Sequence, residues 1–255
     1  MRLTIVTPSY NQGAYIERTL RSVHEPGYAD LEHWVIDGGS TDATVDVLKR
    51  YEDRLDWISE KDGGQADAVN KGFRRATGEV IGWLNSDDTY VPGTLDKVMA
   101  LFAARPEIDL VCGDCNMIDE ADRLLRTRRA GPFDLRKLVR MGVSYVFQPT
   151  VFFRRSLLDA AGECDASLRH GMDYDLWCRM GRYARPCYLP EPLANWRYQP
   201  ESKTCSERHV SIAEGRMIRK RYSRGLVDLP WSLYYDLRVK LYLLAEPLLL
   251  RGSSG

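Results

Sequence analysis

Apolar and polar positions alternate in short blocks along the first 112 residues. Residues 3–7 form a β-rich run that Pro8-Ser9-Tyr10-Asn11 interrupts. Residues 14–24 follow with apolar positions at Tyr15/Ile16, Leu20 and Val23, the spacing of one helical face. Residues 31–36 predict a second strand ending in Asp37-Gly38-Gly39; Ser40, Thr41 or Asp42 can then cap a helix through Val45, Leu48 and Tyr51. The rhythm continues with a strand at 55–59, a helix at 64–76, a strand at 80–84, a helix at 93–104 and a strand at 108–112. Strands alternating with helices of this length predict βαβ units and an α/β fold with a mostly parallel central sheet flanked by helices. Ligands of such sheets bind beyond the carboxyl ends of the strands. Those ends are residues 8–11, 37–39, 60–64 and 85–88, and three of the four carry acids.

The second half is less regular. Residues 116–129 read as two short strands around Glu120–Asp122, followed by a helix at 135–141, a strand at 150–153, a helix at 173–183 and a strand at 193–198. From residue 206 onward the pattern is helical. No repeat or low-complexity linker separates these parts, so the expectation is one compact domain with halves 1–112 and 113–205, plus a helical C-terminal extension over 206–255.

Charge removes one class of partner. Lys plus Arg and Asp plus Glu number 36 each in 255 residues, so no global basic field argues for nucleic acid. The apolar run before Pro8 is too short for a signal-peptide core, and no stretch reaches the roughly 18 apolar residues of a membrane span. Six dispersed cysteines suit free thiols in a reducing compartment, which makes a cytoplasmic location the expectation. Cys112 and Cys115 form one C-x-x-C without a second pair, a pattern better read as small buried hydrophobes than as a zinc site.

Several phosphate-binding and nucleophilic motifs are absent: there is no Walker loop, no G-x-G-x-x-G after the first strand and no G-x-S-x-G elbow. Carboxylates at strand ends remain. The sharpest group follows residues 80–84 as Asn85-Ser86-Asp87-Asp88. Magnesium or manganese takes hard oxygen ligands and keeps one or two protein carboxylates while phosphates and water fill the rest. A turn and helix cap before Pro92-Gly93 explains the same residues equally well.

Five segments in order resemble the successive motifs of family-two glycosyltransferases, which have an A-type, Rossmann-like nucleotide-sugar fold. They are TPSYNQGAYIERTLRSV, WVIDGGSTDATVDVL, EKDGGQADAVNKGF, GEVIGWLNSDD and HGMDYDLWCRM, and the match covers roughly residues 1–205. The resemblance implies inverting transfer of a sugar from a nucleotide-sugar donor, with Mn²⁺ or Mg²⁺ on the diphosphate. It implies that 1–112 holds the donor and 113–205 the acceptor. It places Thr7, Pro8 and Tyr10 at the nucleobase and makes Asp37 the acceptor of a base N–H, as suits uracil or thymine. Asn85-Ser86-Asp87-Asp88 matches the family's D-x-D region with Asn in first place, putting Asp87 near sugar or ribose and Asp88 on the metal. Asp173 matches the general base of the E-D motif, with Met172 where the glutamate usually stands. Gln65 and Lys71 would lie by the nucleotide. Arg197 and Lys203, in a late loop whose usual histidine is Gln199, would pair with phosphate.

Asp175 competes with Asp173 for the base, since residues two apart on a helix face different ways. Trp83, Trp177 and Trp196 could stack on sugars, but core packing is the better reading of each. The tail clusters Arg216, Arg219, Lys220, Arg221 and Arg224 ahead of a Leu- and Tyr-rich stretch, which suits an anionic membrane surface or, equally, packing on the domain or a homodimer partner. The leading expectation is an inverting glycosyltransferase for a glycan or lipid-linked acceptor in surface polysaccharide assembly. The alternatives are a sugar nucleotidylyltransferase, for which the basic N-terminal loop is missing, and a nucleotide-sugar-binding protein without turnover.

Overall fold

The computed structural model describes residues 1–25, 27–141, 144–199 and 207–228, with 230, 231, 233–235 and 237. Strand β1 (Leu3–Ser9), α1 (Ile16–His24), β2 (Leu31–Asp37), α2 (Thr44–Lys49), β3 (Asp56–Ser59), α3 (Gln65–Arg75) and β4 (Val80–Trp83) follow the alternation of the sequence. Then come β5 (Thr89–Tyr90), α4 (Thr94–Ala104), β6 (Leu110–Ile118), β7 (Leu124–Arg128), α5 (Leu135–Met141), β8 (Phe152–Arg154), α6 (Arg155–Ala161), α7 (Met172–Met180), β9 (Pro186–Arg197) and α8 (Arg208–Tyr222).

One sheet runs in the order β3-β2-β1-β4-β8-β6-β9-β5, with β7 on β6. The α/β class with flanking helices is as expected. The parallel part is β3-β2-β1-β4; β8 then runs antiparallel to both β4 and β6, and β9 returns parallel to β6. Two elements are longer than the sequence suggested. β6 continues through Cys115 to Ile118, and β9 begins at Pro186, because register shifts around Asp114 let Pro190 and Pro192 sit in a strand they would otherwise end.

The two sheet faces bury separate cores. One holds Leu3, Ile5, Val80, Val98, Phe102 and Phe152; the other holds Val6, Val69, Phe73, Trp83, Phe153 and Trp177. In the second, Phe73 meets Trp83 and Phe153 edge-on with ring centroids at 6.4 and 5.8 Å, and Phe153 meets Trp177 at 6.2 Å. This aromatic series joins α3, β4, β8 and α7. It confirms the core reading of Trp83 and Trp177, and it fixes the end of β4 relative to the start of α7. Gly72 lets α3 approach β1: a Cβ there would lie 2.2 Å from Val6 Cγ1.

The C-terminal extension begins as α8 and is tied to α7 by charge. Buried Asp175 accepts from Arg179 Nε (2.9 Å), an Arg221 guanidinium N–H (2.9 Å) and Tyr222 O–H (2.8 Å). Glu214 accepts the backbone N–H groups of Arg169, His170 and Gly171 at 2.7–2.8 Å. Gly171 lets α8 approach closely: a Cβ there would stand 2.5 Å from Ile218 Cδ1, so the isoleucine tip would have to shift. The basic cluster of the tail is therefore partly internal. Arg221 also pairs with Asp165, and the Arg219 guanidinium lies 4.6 Å from the Tyr235 ring centroid. No helix among the described residues is long and apolar enough to cross a membrane.

Candidate active site

The carboxyl ends of β1, β2, β3 and β4 stand side by side and are laced together. Asp37, fully buried at the end of β2, accepts from the Gly39 and Ser40 amides, the Ser40 hydroxyl and the Ser59 hydroxyl at 2.5–3.1 Å. The loop after β1 locks onto the loop after β2: Asn11 N–H donates to Ser40 Oγ, and Thr41 N–H donates to Asn11 Oδ1. Pro8 is buried and Tyr10 is exposed on this edge. Thr7 is buried with its hydroxyl against His33 Nε2 (3.0 Å), itself 3.0 Å from His24.

A cleft of about 390 Å³ opens beside these loops. Its lining includes Gln65, Asn85 and Asp88, Arg128, Phe147 and Gln148, and His170, Asp173, Trp196 and Tyr235. Of the residues expected to act together, Gln65, Asp88 and Asp173 share this cleft. Thr7 and Pro8 of β1, Asp37 at the end of β2 and Tyr10 just after β1 are not part of its lining. Lys203 lies outside the described residues.

Asp88 is 1% exposed, and among the described residues only its Oδ1 receives a hydrogen bond of good geometry, although the Asn85 side chain lies close enough to lower its carboxyl. Its Oδ1 accepts the Arg197 backbone N–H at 2.9 Å, while its Oδ2 is buried without a hydrogen-bond partner among the described residues. Burial, and next the adjacent Asp87 charge, push its carboxyl well above the usual range, against the opposing pull of Arg197. Burial raises Asp87 too; its Oδ2 accepts from Gln199 Nε2 at 3.2 Å. An orphaned, desolvated carboxylate oxygen next to a second acid fits a divalent cation. No group of three or more His, Cys, Asp or Glu side chains is gathered for a metal among the described residues. Asp88 thus fits a cation that takes its other ligands from phosphate and water.

Asp173 sits in the first turn of α7. Its Oδ1 accepts the Tyr174 N–H at 2.7 Å, and burial raises its carboxyl to about 6 against the pull of that bond and of its own amide. Such a group is ionised at neutral pH yet still a useful proton acceptor. Asp175 is settled as a structural anchor, since Arg179, Arg221 and Tyr222 occupy both its oxygens.

Two basic residues expected at the nucleotide or its phosphates are spent elsewhere. Arg197 is 1% exposed; its guanidinium donates to the Asp87 and Asp119 carbonyls and to Asp122, and it lies over the Tyr15 ring. It is a brace between β9 and the β6–β7 turn, not a member of the cleft. Lys71 pairs with Glu60 at 2.9 Å and Asp67 at 3.3 Å, holding the loop that precedes α3.

Other cleft residues had no role, or a different one, in the expectations from sequence. Asn85 Oδ1 accepts from both Gln65 Nε2 and Trp83 Nε1 at 2.9 Å, so the asparagine in the first place of that turn ties α3 to β4. Gln148 donates to the Trp83 carbonyl and leaves its Oε1 buried without a partner. Trp196 lines the cleft rather than the core. Ser211, Ile212 and Gly215 of α8 form a wall that no strand-end motif signals. Cys112 and Cys115 are buried free thiols, as expected, with Cys112 pushed up to about 12 by burial.

A raised carboxyl has a stability consequence of fixed sign. Asp173 titrates near 6 folded and near 3.9 unfolded, so its ionised form costs stability above pH 6, and the cost disappears as pH falls below about 4. At about 1.36 kcal/mol per pH unit the cost is at most roughly 3 kcal/mol. Asp173→Asn should therefore raise the melting temperature at pH 7–8 and leave it unchanged at pH 4. Thermal denaturation at the two pH values checks this; an equal or negative shift at pH 7 would refute the buried-acid account.

The glycosyl transferase family 2 model matches residues 4–162. A PGL/p-HBAD biosynthesis glycosyltransferase of Mycobacterium tuberculosis is 32% identical over 177 residues, 68% of this chain and 66% of that protein. An uncharacterised glycosyltransferase of Nostoc sp. is 29% identical over 175 residues, 62% of this chain and 52% of that protein. The chain thus spans about half to two thirds of the length of these relatives. Among solved structures, S. aureus TarS residues 1–349 in complex with UDP superposes with a TM-score of 0.69 at 18% identity, covering 92% of this chain and 70% of that one. The mannosyltransferase PcManGT of Pyrobaculum calidifontis, in complex with GDP-Man and Mn²⁺, superposes with a TM-score of 0.64 at 18% identity, covering 99% and 79%. At these identities the superpositions establish the fold. The family match removes the nucleotidylyltransferase alternative: the chain belongs to glycosyl transferase family 2.

Proposed function

We infer that this cleft transfers a sugar from a nucleotide-sugar donor, a UDP-sugar, to a hydroxyl of a glycan or lipid-linked acceptor, with inversion at the anomeric carbon. The observation that carries the reading is that Asp88 and Asp173 line one cleft in different chemical states. One is an acid with an orphaned oxygen suited to a cation; the other is a desolvated base near neutrality. The complexes of TarS with UDP and UDP-GlcNAc, and of PcManGT with GDP-Man and Mn²⁺, support a nucleotide-sugar donor and a divalent metal.

In this reading residues 1–112 hold the donor, with Pro8, Tyr10 and Asp37 at the base, and residues 113–205 hold the acceptor. Asp173 takes the proton from the acceptor hydroxyl. The acceptor oxygen bonds to the anomeric carbon as the bond from that carbon to the diphosphate oxygen breaks, and the electron pair leaves with the diphosphate. Asp88, beside Asp87, would hold Mn²⁺ or Mg²⁺, which supplies positive charge for the leaving diphosphate. Gln65 and Asn85 keep the metal turn in place.

The C-terminal extension suits the inner face of a membrane carrying the acceptor, in surface polysaccharide assembly. Val227, Trp231, Leu233, Tyr234 and Leu237 are exposed beyond the basic α8.

Four outcomes test this. Asp88→Ala should abolish Mn²⁺-dependent UDP binding in calorimetry without loss of fold; unchanged affinity would sink the metal assignment. Asp173→Asn should keep UDP and metal affinity but lower transfer by about 10²–10⁴-fold, as for a lost general base. Asp175→Asn should instead lower the melting temperature by unpairing Arg179 and Arg221, with a smaller loss of turnover per folded molecule. The reverse pattern of rates would move the base by two residues. Finally, deletion of residues 226–255, or high salt on the intact chain, should reduce sedimentation with anionic vesicles. A protein that never binds vesicles but is a dimer dissociated by the deletion would assign the tail to subunit packing.

A further inference from the structure

Arg128 is a cation in the cleft with no carboxylate partner among the described residues. It ends β7, lines the same cleft as Asp88 and Asp173, and its guanidinium lies 4.9 Å from the Phe147 ring centroid. The other basic residue of the lining, His170, is bonded to Glu207. Nearby arginines are likewise occupied: Arg123 pairs with Asp119, Arg18 with Asp122, and Arg197 with Asp122. Arg126 and Arg128 have no carboxylate partner among the described residues.

The strand explains why they act together. Side chains two residues apart on a strand leave the same face, so Arg126 and Arg128 project side by side from β7. Arg128 remains exposed to solvent at the cleft, and partial loss of water, and next the Arg126 charge, disfavour its cation. Two neighbouring like charges with no counter-charge are stabilised by an anion that reaches both. A guanidinium suits that role because its planar fork of N–H donors matches phosphate oxygens two at a time. The Phe147 ring gives the plane a fixed support.

We propose that Arg128, seconded by Arg126, forms an anion subsite of this cleft that takes a phosphoryl group. The proposal rests on the reading of the cleft as the transfer site, and it supplies the phosphate-pairing cation that Arg197, spent on structure, does not. The phosphoryl group comes either from the donor diphosphate or from a phosphate ester on the acceptor; the chemistry at Arg128 is the same.

Calorimetry on the full chain separates the two. UDP is titrated with Mn²⁺, and sn-glycerol 3-phosphate is titrated onto protein saturated with UDP and Mn²⁺. Wild type, Arg128→Gln, Arg128→Lys and Asp88→Ala are compared, with melting temperatures to verify folding. Arg128→Gln should weaken one titration by about tenfold or more, the usual loss for a hydrogen bond to a charged group. Arg128→Lys should recover part of it. Loss in the UDP titration assigns the donor diphosphate; loss confined to glycerol 3-phosphate assigns an acceptor ester. A folded Arg128→Gln protein that matches wild type in both titrations overturns the subsite, including the case in which wild type ignores glycerol 3-phosphate. Failure of the transfer-site reading shows separately, as wild-type UDP affinity in Asp88→Ala.

Discussion

The architecture turns on a carboxylate that the fold takes out of water and then leaves half satisfied. Asp88 receives one backbone N–H, from Arg197 on β9, and its second oxygen has no hydrogen-bond partner among the described residues. A buried ionised acid with an idle lone pair is expensive, and it persists only where the surroundings are held firmly. Here the Arg197 side chain crosses to the Asp119–Asp122 turn, Thr19 donates to the Asp88 carbonyl, and Asn85 ties the preceding turn to α3 and Trp83. Four separate stretches of chain thus hold one oxygen in a state that a cation and a phosphate would stabilise.

Much of this could be read from the residues because the chemistry of strand ends is local. The alternation through residue 112 marks the strands whose ends carry Asp37, Asp87 and Asp88, and the order of the motifs carries the family. The readings that missed share a physical cause. Arg197 and Lys71 have the right charge for phosphate, but whether a cation faces a ligand or a neighbouring acid depends on residues distant in sequence, such as Asp122 for Arg197 and Glu60 for Lys71. That α8 claims Asp175 and not Asp173 depends on contacts that join positions 46 and 47 residues apart. Prolines hid the first half of β9, since only the bulged partner strand makes room for them.

Asp173 and Asp175 also illustrate how one helix turn serves two ends. Asp175 spends its charge on anchoring α8, which stabilises; Asp173 keeps its charge without a basic partner, which costs stability and preserves basicity. The Met172 side chain, buried where the family usually has glutamate, removes a neighbouring negative charge from this turn. Burial then raises the basicity of Asp173 against the pull of the Tyr174 amide and its own.

The placement of β9 bears on how the chain comes to be folded at all. It lies between β6 and β5, and its contacts reach back 79 residues to Asn116 and 106 residues to Thr89. During synthesis the first four parallel strands can assemble while β6 still presents a bare edge, and the loop bearing Asp88 lacks its only amide donor. Until residue 197 has left the ribosome, that edge is open to pairing with a neighbouring nascent chain. Long-range closure of this kind is slow. The protein should therefore depend on chaperone capacity during its production more than its modest size would suggest.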